Sequence, residues 1–189
     1  MSPLTEQGED SRSPLISPAE LAAHVGDLPL PRPHTGAELA SLHGLLTGPK
    51  SRIETVAIGH SRDDASRAAA QAFAQAWTAR GGRVLTVVGW PEAAASWLRP
   101  ARRLTVETPD AWVIAASVLG FAQLARRLHK STEFDPARTV AFSSLNTSRL
   151  TALAGPSTLS GMRGASADGG TWDVRGAWVT SCPPAEVTA

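Results

Sequence analysis

The segment "TVAIGHSRDDASRAAAQAFAQAWTARGGRVLTV", residues 55 to 87, decides how this chain folds. Val56, Ala57 and Ile58 make a short apolar run, and the polar residues from His60 end it. An alanine-rich stretch follows from Asp63, with Phe73, Ala76 and Trp77 at helical spacing and so on one face. Gly81-Gly82 supply a stop, because glycine takes up the left-handed geometry that ends helices. "RVLTVVGW" (83 to 90) then reads as a second strand.

The alternation continues. "PEAAASWLRPARRL" starts a helix that Pro100 is expected to interrupt or kink. "DAWVIAAS" (110 to 117) is a buried strand, and "GFAQLARRLHK" (120 to 130) is an amphipathic helix with Phe121, Leu124 and Leu128 on one side. "RTVAFSS" (138 to 144) is a fourth strand, "NTSRLTAL" a short helix, and "GMRGASAD" (161 to 168) a candidate fifth strand. Strands alternating with helices through short loops predict an α/β fold: a single three-layer, doubly wound lobe with a mainly parallel sheet of about five strands.

The expected division is an N-terminal extension over 1–50, the lobe over 51–175 and a tail over 176–189 that adds one extended piece. Residues 1 to about 18 are rich in Ser, Pro, Glu and Asp, a composition that predicts disorder. Beyond them, "SPAELAAHV" and "TGAELASLHGLL" are short helices separated by the extended "DLPLPRPH". Trp77, Trp97 and Trp112 are expected in or near the core, and Trp90 and Trp172 in loops.

Composition narrows the function. With 42% apolar residues the 189-residue chain can build a core, and a net charge of +1 with only two lysines, Lys50 and Lys130, gives no basic face for nucleic acid. Cys182 is the single cysteine, which excludes an intrachain disulfide or a cysteine-based zinc site. The first residues lack a basic segment followed by an apolar one, so the expected location is cytoplasmic, and no apolar stretch is long enough for membrane insertion.

Parallel sheets bind ligands at the carboxyl ends of their strands, here at the loops beginning with His60, Trp90, Ser117 and Ser143. Gly59-His60-Ser61 suggests the nucleophile elbow of a small α/β serine hydrolase, which stands as the alternative function. The elbow needs a small residue two places after the serine, where this chain has Asp63. Asp63 and Asp64 would also oppose a developing oxyanion, Asp110 begins a strand, and no histidine follows His129. Both aspartates suit the first turn of a helix. A metal site of His60, Asp63 and Asp64 lacks complementary ligands elsewhere, and a single glycine makes no phosphate cradle, so neither metal nor cofactor is expected.

Taken in order, the segments resemble the second lobe of type I periplasmic binding proteins, in the group of leucine/isoleucine/valine receptors of ABC transporters. "ETVAIGHSRDDASRAAAQAFAQAWTARGGRVLTV" is similar to that family's strand, loop and long helix ending in Gly-Gly. "TPDAWVIAASVLGFAQLARRL" resembles its next strand, ligand loop and helix, and "FDPARTVAFSSLNTSRLTALAGPSTLSGMRGASA" the strand, loop and Gly-Met entry that follow. The similarity runs from about Arg52 to Trp172.

The resemblance implies a non-enzymatic lobe that binds a small polar, amino-acid-like ligand between two hinged lobes, and an extracytoplasmic location if the N-terminus is truncated. Carried over by position, the candidate ligand-binding residues are His60, Ser61, Asp63, Asp64 and Ser66, then Ser117 and Val118, then Ser143, Ser144 and Asn146. Ala65-Ser66 stand where the family commonly has Tyr-Gly, and the chain contains no tyrosine. Residues 1 to 50 are too short to be a first lobe, so the expectation is a truncated receptor, a homodimer or partner chain that supplies the missing wall, or a ligand-free interaction module.

Overall fold

The computed structural model describes residues 15–24, 28–48, 51–94 and 96–184. The disorder expected for residues 1 to about 18 falls, up to residue 14, outside the described residues. Two helices come first, α1 (Pro18–His24) and α2 (Gly36–Leu46). Then β1 (Thr55–Ser61), α3 (Asp64–Ala79), β2 (Arg83–Trp90), α4 (Leu98–Thr105), β3 (Ala111–Ala115), α5 (Val118–Ser131) and β4 (Thr139–Ala141) alternate. The chain closes with α6 (Ser148–Ala154), β5 (Arg163–Ala165), β6 (Thr171–Arg175) and β7 (Trp178–Cys182).

The seven strands form one sheet in the order β2-β1-β3-β4-β5-β6-β7. The first five are parallel, and β6 and β7 add antiparallel at one end. The expected α/β class and mainly parallel sheet are therefore present, with two strands more than expected. The extra pair is "TWDVR", at the end of the expected lobe, and "WVTSC", in the tail, which pair across the turn at Gly176-Ala177.

Period-two alternation sorts the strand side chains to two faces. Val56, Ile58, Val113 and Val140 pack with α2 and α3, while Ala57, Trp112, Ile114 and Ala141 pack with α4, α5 and α6. β3 is buried along its whole length, as a central parallel strand must be. Gly59 leaves room for the Trp90 ring of the neighbouring strand: a Cβ at this position would lie 2.7 Å from Trp90 Cζ3. Gly81, at φ +86°, ends α3 in the left-handed conformation that the Gly-Gly stop predicts.

Three readings are corrected. Trp90 and Trp172 are strand residues with buried rings, because the neighbouring Pro and Gly mark strand ends while the alternation turns both indoles inward. Pro100 does not break a helix: α4 begins at Leu98, so the missing N–H falls in the first turn, where it has no helical acceptor. β4 stops at Ala141, and Ser143–Leu145 turn into a short 3₁₀ helix.

The N-terminal helices are part of the packing. α1 lies against α6 and is tied to α5 by Glu20 and Arg126, 2.8 Å apart. The Arg126 hydrogen bond, with further bonds from Ser17, holds the Glu20 carboxyl at about 2. α2 buries Leu42 and Leu46, and its His43 stacks on Phe73 at 4.8 Å and on Trp77 at 5.8 Å. Burial lowers the His43 imidazole below its ordinary value of 6.5, with the Arg80 charge acting the same way.

The folded chain thus resists a proton that the unfolded chain accepts. His43 contributes stability above pH 6.5 that is lost as pH falls through its depressed folded value. His43→Phe keeps the stack and removes the titration. Urea unfolding from about pH 8 to about pH 5 should show a smaller loss on acidification than the parent chain; an unchanged pH slope excludes His43 as the source.

Candidate functional site at the carboxyl ends of the strands

The carboxyl ends of β1, β3 and β4 lie level, because His60 pairs with Ala115 and Ile114 with Ala141. From β1 the chain goes to β2 on one side and then to β3 on the other, so the direction reverses between β1 and β3. Open α/β sheets bind ligands at such a switch point. Here the two ends are tied: Ser61 is fully buried, and its Oγ accepts the Ser117 N–H at 3.0 Å.

In this arrangement no histidine is hydrogen-bonded to the Ser61 hydroxyl among the described residues. His60 Nδ1 lies 2.7 Å from the Ser61 carbonyl oxygen, not on the hydroxyl. Asp110 sits at the opposite, amino ends of the strands, where its carboxylate accepts from the Thr55 hydroxyl and from the Thr55 and Glu54 N–H groups. The Thr55 hydroxyl, ahead of those amides and the Arg138 charge, lowers the Asp110 carboxyl. The length of β1, about 20 Å, separates Asp110 from Ser61. His129, in the last turn of α5, is carried towards the same far end.

Carboxylates of the chain itself occupy the N–H groups at three strand ends. After β1, Asp63 caps α3, with Oδ1 accepting the Ser66 N–H at 2.8 Å. After β3, Glu92 accepts from the Ser117 hydroxyl and, at 3.2 Å, from the Gly120 N–H in the first turn of α5. After β4, Glu38 of α2 places Oε1 on the Ser143 N–H at 2.6 Å. Its Oε2 meanwhile closes a capping box with Thr35. Glu38 is only 1% exposed, and these hydrogen bonds offset the cost of burying its carboxylate.

Ser66, Ser143 and Ser144 converge with Glu38 and Arg32 around one small cavity. It measures about 10 Å³, room for a single water molecule. Ser66 Oγ is buried there without a protein partner, while Ser144 Oγ donates to the Ala116 carbonyl at 2.8 Å.

The other candidates lie elsewhere. Asp64 is exposed and pairs with Arg67 at 3.1 Å. The His60 ring packs over Gly89, and Val118 is buried in the core on the α5 side. Asn146 bridges Ser166 and Ser181 at 3.2 Å each, near β5 and β7. Glu38, Glu92 and Arg32 were not among the sequence candidates. "TGAE" at 35–38 carries the capping-box signature, but a local motif does not reveal that the second oxygen reaches a residue 105 positions away. Among the described residues, no three His, Cys, Asp or Glu side chains are grouped to hold a metal ion.

Neither a protein-family model nor a curated protein matches the chain. Solved structures do. A putative branched-chain amino acid ABC transporter protein from Rhodospirillum rubrum matches 68% of this chain and 36% of its own, with 22% identity and a TM-score of 0.57. A substrate-binding periplasmic protein from Ralstonia solanacearum matches 75% and 39%, with 15% identity and a TM-score of 0.59. The fold is that of one lobe of a type I periplasmic binding protein. The branched-chain amino acid transporter substrate-binding protein LivJ from Streptococcus pneumoniae, solved with isoleucine, matches 67% of the chain and 34% of its own, at 12% identity and a TM-score of 0.56. The lobe therefore spans little more than a third of the length of the proteins it resembles. None of its described helices is long and apolar enough to cross a membrane.

If the buried Ser61 hydroxyl ties β1 to β3, Ser61→Ala should cost about 1–2 kcal/mol in chemical denaturation, because the Ser117 N–H loses its acceptor. A fluorophosphonate probe should leave the parent chain unmodified. Labelling that disappears in Ser61→Ala would restore the hydrolase.

Proposed function

We propose that this chain is a solute-binding lobe that recognises the carboxylate of a small polar, amino-acid-like ligand at its strand ends. Ser66, Ser143 and Ser144 make the contacts, and the His60–Asp64 loop and the Ser117 turn frame them. The observation that carries this reading is the Ser143 N–H, a backbone donor at a strand end that already holds a carboxylate at 2.6 Å. Glu38 keeps the place of the ligand's carboxylate, and binding requires it to yield.

The likeness to proteins described as branched-chain amino acid transporter components supports the ligand class. The buried Ser61 supports binding in place of catalysis. A second copy or a partner chain would supply the facing wall, and the periplasmic relative supports a place of action outside the cytoplasm.

Replacing Glu38 tests the site. Glu38→Ala should lower stability by about 1–3 kcal/mol by leaving the Ser143 donor without its acceptor. Acetate should restore part of that loss where chloride at equal ionic strength does not, and amino acids should raise the melting temperature of this variant more than that of the parent. No rescue by acetate and no shift by any amino acid in either protein would sink the reading.

The small volume of the cavity favours a second reading, a ligand-free interaction module in which α2 has permanently taken the ligand's place. Trp178, 74% exposed on the edge strand β7, then marks the contact surface. Loss of a dimer or complex on gel filtration with Trp178→Ser, together with the absence of acetate rescue, selects that reading.

A further inference from the structure

A second space opens at the strand ends, on the face covered by α4. It is a cavity of about 280 Å³ beyond the end of β2, walled by Trp90, Trp97 and Ser96 and lined by Arg62, Arg99 and Arg103. From this cavity we infer a binding site for a small phosphate-bearing molecule, independent of the carboxylate site described above.

Charge is the first support. None of the three arginines has an ion-pair partner among the described residues, since the pairs formed are Arg67–Asp64, Arg126–Glu20 and Arg175–Asp173. No described acidic residue lines the cavity, and Glu107, four residues after Arg103, lies beyond the far end of α4. Asp63 caps α3, Asp64 pairs with Arg67, and Glu92 turns to Ser117 and Gly120. Three guanidinium groups facing one cavity repel one another until an anion enters.

The helix is the second support. α4 starts at this cavity with a long hydrogen bond from the Leu98 N–H to Ser96 Oγ at 3.4 Å, no side-chain bond from its N-cap residue Trp97 and no acidic residue in its first turn, where Arg99 stands instead. A cation at the positive end of a helix is unfavourable, and an anion between the helix end and the arginines reverses the sign of both interactions. Trp90 contributes a buried wall to the cavity. Arginine forks match the geometry of phosphate oxygens, and a phosphate dianion answers this excess of positive charge better than a single carboxylate does.

The test is a titration of the full chain with inorganic phosphate at constant ionic strength, followed by tryptophan fluorescence and melting temperature. Saturable binding is expected, with at least a tenfold loss in the double variant Arg99→Gln/Arg103→Gln. No loss is expected in Arg102→Gln, which is on the same helix but does not line the cavity. Exposed arginines on a short helix tolerate glutamine, so all variants should fold. A response that chloride reproduces, or an equal loss in Arg102→Gln, overturns the site. Succinate binding more tightly than phosphate overturns the phosphate class.

Discussion

A parallel sheet has two apolar faces, and both must be covered. In this chain the strand order allots one crossover helix, α3, to one face and three, α4, α5 and α6, to the other. α3 reaches β1, β2 and β3, and the face over β4 and β5 would stand open without another element. α2 fills that gap, with Leu42 and Leu46 buried against it and His43 stacked on the rings of α3. Burying those two leucines stabilises the docked helix by about 1.5–3 kcal/mol each. The contact at the carboxyl end of β4 depends on this placement.

With α2 fixed over β4 and β5, its first turn lies beside the carboxyl end of β4, and Glu38 meets the Ser143 N–H. Two long-range bonds hold the same end of the helix: Thr35 Oγ1 donates to the Ala167 carbonyl at 2.5 Å and Ser41 Oγ to the Gly169 carbonyl at 2.6 Å. With Asp63 and Glu92 placed by the loops after β1 and β2, the strand ends are lined with three of the chain's own carboxylates. Each sits where a turn or helix presents unpaired N–H groups, and each satisfies them internally. The buried Ser61 hydroxyl does the same for Ser117 at the switch point, so the crevice that such folds commonly open to ligands is drawn shut between β1 and β3.

Much of this was legible in the sequence, for physical reasons that differ by element. Residues 55–87 declared the parallel fold because strand, helix and glycine stop each follow local rules, and the structure keeps all three. The tail was harder: "TWDVR" and "WVTSC" are short and carry charges or hydroxyls, and their pairing depends on β5 offering an antiparallel partner. Pro100 misled because proline's cost depends on its place in the helix, which periodicity does not fix to within one turn. The strand-end serines were found by position, but the groups that meet them were not. Glu38 lies in a segment that, by itself, reads as a short helix with a capping box. Only the need to cover the second face of the sheet brings it to Ser143, and that need is a property of the assembled topology.

The same contact limits what the lobe can do alone. Exchanging the Glu38 carboxylate for that of a ligand replaces one charge-assisted hydrogen bond with another, so the exchange itself yields little net free energy. The cavity beside it, about 10 Å³, offers no volume for the rest of an amino acid. Association must also overcome the lost freedom of the ligand, a term of at least about 4 kcal/mol. Under the proposed reading a single lobe would therefore bind such a ligand weakly, and useful affinity would have to come from contacts on a facing wall. Undocking α2 to make room would forfeit its two buried leucines and the aromatic stack, whereas swinging the Glu38 side chain aside forfeits only its hydrogen bonds. On the proposed reading, the rotation of this one side chain would be the least costly way to free the Ser143 donor, and room for the rest of a ligand would have to lie outside the small cavity, against a facing surface.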